Sequence, residues 1–307
     1  MESKKHEVGV VVNPLSSRQP IVKAKSLLSS LKRLGYPYQL HLLSNEAFSP
    51  SNFDALNEVS PLIVIGGDGT VGSVLDLALR TNLESFLFGA LPGGTGNDTA
   101  KFLNTTTVNS LIQAMIKTQH ISLDVFSIKV RLVNGRIFER YFIANVLIGL
   151  FGQGVRETPS LLKILFGNTA YLLGILRSIL RYKNFRSSIY CEGNCVYEGK
   201  TLAIFIGNVA TTGGGVPLAP KATPEDGKID VLVAENLARL KTLKALPVVL
   251  NGNHLTLPPV HYFTGRSVRM DLTDSHLGVD GEYLGRGRQL EITHETSVRF
   301  LSNRGPY

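Results

Sequence analysis

The stretch PLIVIGGDGTVGSV at 61–74 constrains the fold of this chain more than any other. Its first half, Pro61 to Ile65, is a short apolar run rich in branched residues, which predicts a buried strand. Three glycines follow around one acid, and from Val71 onward apolar residues recur at helical spacing. Glycine lets the backbone approach a phosphate, and the first N–H groups of a helix point at it. The stretch therefore predicts a phosphate-binding loop, with a plain glycine turn as the alternative.

The acid in this loop, Asp68, would repel a bare phosphate. It is useful there if it binds Mg²⁺, directly or through water, or accepts a proton from an attacking hydroxyl. A second glycine loop, LPGGTGND at 91–98, follows the predicted strand Phe86 to Leu91 and adds Asp98. Asn97-Asp98 also has the chemistry of an N-cap for a helix from Thr99 to Leu103, and both interpretations can hold together.

Predicted strands and helices alternate over the first 120 residues, which favours an open parallel sheet whose strand ends line one crevice. From Ile121 onward, short strands separated by turn residues predict an antiparallel second domain. We therefore expect an α/β nucleotide-binding domain over 1–122 and a β-rich sandwich domain over 123–307. The last strand, Ser297 to Leu301, could return to the first domain.

Composition narrows the class of protein. A chain of 307 residues with a net charge of +8 favours anionic partners such as a nucleotide or an acidic lipid surface. Zinc-finger spacing and aromatic RNA-binding motifs are missing from the sequence, so we expect no nucleic-acid partner. The polar N-terminus and the lack of a long apolar run predict a soluble cytoplasmic protein. Cys191 and Cys195 are predicted to be reduced thiols on either side of a turn.

Two longer helices interrupt the predicted second domain. One covers Ser160 to Arg181, and the other covers Leu240 to Leu250. The first is apolar and carries Lys163, Arg177 and Arg181. It could cover a lipid tunnel or touch an anionic membrane, whereas packing on a sheet is the ordinary alternative.

Four motifs in order resemble the diacylglycerol kinase catalytic-domain family, in particular its soluble bacterial lipid kinases. They are GGDGT at 66–70, LPGGTGND at 91–98, GGGVPLAPKATPEDGKIDV at 213–231 and VDGE at 279–282. The resemblance implies an ATP- and Mg²⁺-dependent kinase for a lipid hydroxyl such as that of diacylglycerol, with its site in a cleft between the domains. It also implies a cytoplasmic protein that works peripherally at an anionic membrane surface; a homodimer is possible.

The resemblance also implies which residues contact the nucleotide. They lie in an early turn, at the end of the second strand and in the two glycine loops: Asn13, Pro14, Ser16, Ser17, Ser44, Gly66, Gly67, Asp68, Gly69, Thr70, Val71, Gly72, Gly94, Thr95 and Asn97.

Metal and catalytic residues follow from the same resemblance. Asp68, Asp98 and Asp124 are implied to form an Asp–water–Mg²⁺ network. Asp226, with the carbonyls of Thr223 and Lys228, is implied to hold a second, structural Mg²⁺.

The general base is implied to lie in Asp280-Gly281-Glu282, with Asp68 as a further catalytic residue, and the sequence does not choose between Asp280 and Glu282. Asp-Gly between strands is also the signature of a type I′ hairpin turn.

Two positions depart from the family pattern. Gly72-Ser73 stands where the family usually has Asn-Glu, and Ser17 replaces a glycine. Two rival functions stay open, and the departure at Gly72-Ser73 motivates the second of them. One is a NAD-kinase-like enzyme with a soluble acceptor, since that class shares the first loop. The other is a nucleotide- and lipid-binding module with weak catalysis.

Overall fold

A computed structural model of the protein describes residues 6–17, 19–43, 59–81, 87–158 and 169–304, leaving aside the side chains of 169–172. The chain divides into two compact units. The first contains Met1–Leu123 and Ser297–Tyr307, and the second contains Asp124–Thr296. The fold class expected from the sequence, an α/β domain followed by a β-rich domain, is confirmed.

The first unit contains a parallel sheet. Its strands are β1 (Val8–Val12), β2 (Tyr38–Leu42), β3 (Leu62–Gly66) and β4 (Leu87–Pro92). They run in the order β4-β3-β1-β2, and residues 299–300 of the last strand pair in parallel with β4. β1 and β3 are buried along their whole length, as expected of central strands covered on both faces.

Helices α1 to α4 belong to the first unit. They are α1 (Pro20–Arg33), α2 (Asp68–Arg80), α3 (Asp98–Phe102) and α4 (Val108–Ile116). Leu27 and Leu31 of α1 and Leu111 of α4 pack in one buried cluster with β1 and β3. The predicted helix after the first glycine loop is confirmed, but it begins at Asp68, three residues earlier than Val71. Asp68 and Thr70 are therefore in the first helical turn.

The second unit is built from antiparallel strands. They are β5 (His120–Leu132), β6 (Ile137–Phe142), β7 (Asn145–Gly149), β8 (Phe185–Cys191), β9 (Asn194–Gly207), β10 (Ile229–Glu235), β11 (Val260–Gly265), β12 (Ser267–Val279) and β13 (Glu282–Leu301). Within this unit the order is β11-β10-β9-β7-β12-β13, while β6 pairs with β5 and β8 pairs with both β9 and β12. Buried aliphatic and aromatic side chains from these strands form one large core.

The described residues of the second unit also form the α-helices α5 (Leu150–Arg156), α6 (Thr169–Arg181) and α7 (Arg239–Leu250). The predicted helix from Ser160 to Arg181 is described from Thr169 onward, and its earlier part lies outside the described residues. α5 was not expected from the sequence. None of the described helices is long and apolar enough to cross a membrane.

The apolar run at 137–146 predicts a single strand, and this prediction is wrong. Ile137–Val146 is two strands, because the chain bends between β6 and β7 at Ile143-Ala144. At this bend the N–H groups of Ala144 and Asn145 donate to the carboxylate of Asp280, at 3.2 and 3.1 Å, instead of continuing a ladder. The carboxylate of Asp280, from a distant turn, thus divides a segment whose sequence pattern predicts one continuous strand.

Candidate functional site

Three predicted nucleotide loops meet in the first unit. The turn after β1 contacts the first glycine loop through Asn13, whose Nδ2 donates to Thr70 Oγ1 at 3.0 Å. The same turn contacts the second glycine loop through Ser17, whose hydroxyl lies 3.0 Å from that of Thr95. Pro14 and Ser16 belong to this turn, where Ser16 N–H donates to the Asn13 carbonyl. Ser44 lies outside the described residues.

The glycines of the two loops are in direct contact. Gly93 N–H donates to the Gly66 carbonyl at 2.7 Å. A Cβ on Gly94 would lie 2.6 Å from Gly67 Cα, and one on Gly93 would lie 2.9 Å from Gly66 Cα. These glycines are therefore required by the packing of one loop on the other, which is a constraint separate from any phosphate.

Asp68 connects the first loop to the helix after the second loop. Its Oδ2 accepts the N–H of Asp98 at 3.1 Å, and its Oδ1 accepts the N–H of Thr99 at 3.0 Å. Asn97 precedes this helix in the left-handed conformation, and its side chain bonds Gly94 rather than the helix. The expected cap of α3 by Asn97 or Asp98 is thus replaced by a cap from Asp68.

With this arrangement, the N-terminus of α2 can bind an anion, whereas that of α3 is already capped by Asp68. The first N–H groups of α3 bind the carboxylate of Asp68. Helix α2 begins at Asp68, directly after Gly67, and Asp68, Gly69 and Thr70 of its first turn are partly exposed. Val71 and Gly72 are on the buried side of α2. Phosphate oxygens would fit the N–H groups of that first turn. Val71 and Gly72 would help to position the turn by packing in the interior.

The residues around α3 contribute charge. Asp98 is buried, and the Nζ of Lys101 is 4.0 Å from its carboxylate. Lys23 of α1 donates from its Nζ to the carbonyl of Pro92 at the start of the second loop. Thr99 is buried, and its hydroxyl has no hydrogen-bond partner among the described residues.

In the second unit, Asp280 is buried at the tip of the β12–β13 hairpin. Asp280 and Gly281 have φ of 46° and 79°, the values of a two-residue type I′ turn, so the hairpin interpretation of this motif is correct. Asp280 accepts the Nη2 of Arg140 at 2.9 Å as well as the two N–H groups at the β6–β7 bend. Its side chain is fully inaccessible to solvent.

Glu282 is in a different environment. Its side chain is 53% exposed, and it accepts Arg140 Nη1 at 3.1 Å. Burial alone would lower the pKa of Arg140, but the facing carboxylates of Asp280 and Glu282 raise it. Arg140 therefore stays charged and holds both acids of the motif, one buried and one open to solvent.

Asp124 fixes the loop before β10. Its Oδ2 accepts the N–H of Gly227 at 2.7 Å, its Oδ1 is 3.2 Å from His294 Nε2, and its own N–H donates to the Pro224 carbonyl. Asn208 Nδ2 donates to the Asp124 carbonyl at 2.8 Å. Asp124 thus connects β5, β13 and the segment that contains Asp226.

Asp226, Thr223 and Lys228 are exposed on this segment. One carboxylate oxygen of Asp226 accepts the N–H of Lys228 at 2.9 Å, which leaves its other oxygen toward solvent. Among the described residues, no three or more His, Cys, Asp or Glu side chains are grouped as a metal site. Any Mg²⁺ in this protein would need carbonyls, phosphates and water as its remaining ligands, which is the usual situation for this ion.

The comparisons with known proteins agree with both halves of this architecture. Residues 7–128 match the family model of the diacylglycerol kinase catalytic domain. Residues 146–295 match the model of the YegS C-terminal NAD kinase beta sandwich-like domain. The chain therefore combines a diacylglycerol kinase catalytic domain with a YegS-type C-terminal domain.

Relatives of this chain align with it over most of their length. A diacylglycerol kinase of Staphylococcus saprophyticus is 28% identical over 287 residues, covering 90% of this chain and 89% of the relative. One of Staphylococcus aureus is 29% identical over 291 residues, covering 90% and 86%.

Solved structures show the same fold. A crystal structure of a diacylglycerol kinase from Bacillus anthracis has a TM-score of 0.73 at 18% identity and covers 98% of both chains. Yeast NADH kinase complexed with NADH has a TM-score of 0.54 at 11% identity, covering 98% of this chain and 84% of that one.

Sequence reasoning missed three residues of the candidate site: Lys23, Arg140 and His294. Lys23 and His294 have no local signal, because their partners are 69 and 170 residues away. Arg140 had one. Arg140 lies on the side of β6 that faces the interior, next to the exposed Glu139. A charged residue at an interior position implies a buried partner of opposite charge.

Proposed function

We propose that this protein is an ATP- and Mg²⁺-dependent lipid kinase that transfers the γ-phosphate of ATP to a hydroxyl group of a lipid such as diacylglycerol. The match of residues 7–128 to the catalytic domain carries this proposal. It is supported by the contacts that bring the turn at Asn13 and both glycine loops together. Phosphoryl transfer depends mainly on such positioning and on neutralising charge.

The nucleotide phosphates are assigned to the first turn of α2, whose N–H groups and partial positive charge suit an anion. Asp68 is partly exposed, and each of its oxygens holds one N–H, which leaves a lone pair on each oxygen for a metal-bound water. When bound, Mg²⁺ neutralises charge on the phosphates.

Glu282 is assigned as the general base, which accepts the proton of the acceptor hydroxyl. Asp280 is inaccessible to solvent and accepts three donors, so a proton would have to displace one of them. Glu282 is half exposed, and among the described residues its carboxylate is paired with Arg140. Asp280 then acts through Arg140, as a positioning residue.

The experiment is a kinase assay with labelled ATP, Mg²⁺ and a panel of lipids in mixed micelles, with NAD as a soluble acceptor in a parallel arm. We expect label in a lipid and none in NAD. Label in NAD alone would favour the NAD-kinase-like alternative, and ATP binding without any product would favour the binding module.

The base is tested with Glu282→Gln and Asp280→Asn. We expect Glu282→Gln to lower kcat by at least about 100-fold, the usual contribution of a general base, with an unchanged melting temperature. Asp280→Asn should lower the melting temperature as well. Full activity of Glu282→Gln over the whole pH range would overturn this assignment.

A further inference from the structure

Helices α6 and α7 of the second unit lie side by side. Their inner sides share one buried cluster, to which α6 contributes Ile175 and Ile179 and α7 contributes Leu243 and Leu246. The hydroxyl of Tyr182, just after α6, donates to the carbonyl of Leu237, just before α7. The two helices therefore form one structural piece.

The exposed surface of this helix pair is unusually apolar for a protein. Leu173 and Leu180 of α6 are 41% and 62% exposed, and Leu240 and Leu250 of α7 are 64% and 41% exposed. Single exposed leucines are ordinary, but four on two adjacent helices are not.

Basic residues lie between these leucines. The exposed residues of α6 follow the helical spacing Leu173, Arg177, Leu180, and those of α7 include Leu240 and Lys244. Leucines interspersed with Arg and Lys on one side of a helix are typical of helices that lie in the interface of a membrane. We call the exposed side chains of these two helices the α6–α7 face.

The charge of the chain is concentrated in the two segments that contain these helices. Residues 159–190 and 236–270 carry ten Lys and Arg and not one Asp or Glu, although 67 residues of average composition would carry about five acids. The whole chain is +8, so the remaining 240 residues carry a formal charge of −2. Among the described residues, Arg181 at the end of α6 pairs with Glu157, which precedes these segments, at 3.9 Å.

We propose that the α6–α7 face docks the protein on a bilayer of anionic phospholipid. The leucines would enter the boundary between head groups and acyl chains, and the Arg and Lys side chains would contact lipid phosphates. The charge complementarity selects an acidic surface, and the exposed leucines select a lipid surface over a nucleic acid. The inference rests on the proposed function in one respect: a lipid acceptor is found in a bilayer.

The test measures binding of the full chain to vesicles by co-sedimentation, without ATP. Vesicles of phosphatidylcholine are compared with vesicles that also contain phosphatidylglycerol. Two double variants are used: Arg177→Gln with Lys244→Gln, and Leu180→Ser with Leu240→Ser. Matched controls are Arg131→Gln with Arg136→Gln, and Ile137→Ser, which change equally exposed residues on the β5–β6 hairpin.

We expect the wild type to bind the phosphatidylglycerol vesicles preferentially. Each neutralised cation should weaken binding about fivefold, so the charge pair should weaken it about 30-fold. The leucine pair should weaken it about tenfold or more, and the controls by less than twofold.

Equal binding of the wild type to both kinds of vesicle would overturn the proposal. So would a leucine pair that binds like the wild type, because the face would then be a purely electrostatic one. Activity on lipid in neutral micelles is measured separately. Vesicle binding without any lipid kinase activity would reject the proposed function alone, and micelle activity without vesicle binding would reject the docking face alone.

Discussion

The carboxylate of Asp68 and the backbone N–H of Thr99 are joined by a hydrogen bond of 3.0 Å, so an acid in the first glycine loop caps the helix that follows the second. The N–H of Asp98 binds the other oxygen of the same carboxylate. Asp68 therefore orders the two loops. In the proposed kinase it would also hold a metal-bound water through its remaining lone pairs. A substitution there has to be examined for stability and for activity separately.

Asp68→Asn should lower the free energy of unfolding by about 1 kcal/mol, because a charged cap is lost. If the carboxylate also holds the metal-bound water, activity per folded molecule should fall by a further factor of at least about 100. Urea unfolding gives the first quantity and the lipid kinase assay gives the second.

Asp76→Asn is the matched control, since Asp76 is on the same helix and forms an exposed pair with Arg80 at 3.0 Å. It should change stability by about 0.5 kcal/mol or less and leave activity intact. A folded Asp68→Asn protein with wild-type turnover would show that Asp68 is a structural cap alone.

The local architecture of this protein could be predicted from its sequence, and the long-range contacts could not. The strand, glycine loop and helix at 61–74 follow from periodicity and glycine chemistry, which are local. The pairing of Asp280 with Arg140 links positions 140 residues apart, and no spacing rule connects them. The same carboxylate also accepts the N–H groups of Ala144 and Asn145, and these bonds lie where the predicted strand at 137–146 is divided.

Arg140→Met should be among the most destabilising single substitutions in the second unit. It would leave the carboxylate of Asp280 buried without its charged partner, a change that typically costs 3–5 kcal/mol, or about a third of the stability of an ordinary domain. Urea unfolding gives the free energy of unfolding of Arg140→Met and of the control Glu282→Gln. The control removes only a half-exposed partner of Arg140, so it should lower the free energy of unfolding by about 1 kcal/mol or less. Equal effects of the two substitutions would show that Asp280 does not depend on Arg140.

Gly94→Ala should separate the two glycine loops. The Cβ of the alanine would lie 2.6 Å from Gly67 Cα, so backbone atoms rather than a flexible side chain would have to move. We therefore expect the free energy of unfolding to fall by about 3 kcal/mol and the affinity for ATP to decrease. Calorimetry with ATP and thermal unfolding measure these effects.

Gly135→Ala is the control for Gly94→Ala. Its φ is +84°, but a Cβ there would meet nothing within 4 Å, so only the left-handed backbone costs about 1 kcal/mol. ATP binding by Gly94→Ala at wild-type affinity would contradict the requirement for close packing of the loops.

His254 should make the stability of the second unit depend on pH. It is buried, its Nε2–H donates to the carbonyl of Leu218 at 3.1 Å, and its Nδ1 has no hydrogen-bond partner among the described residues. Burial lowers its pKa in the folded protein, although the bond to Leu218 opposes this in part. The unfolded chain therefore binds the proton more readily, so stability is complete above the ordinary histidine pKa of about 6.5 and falls as pH drops through the lower folded value. Urea unfolding at neutral and mildly acidic pH should show this loss in the wild type and in His120→Gln, an exposed control. In His254→Gln, whose amide can still donate to Leu218, the change should be smaller, and an equal change in all three proteins would contradict the prediction.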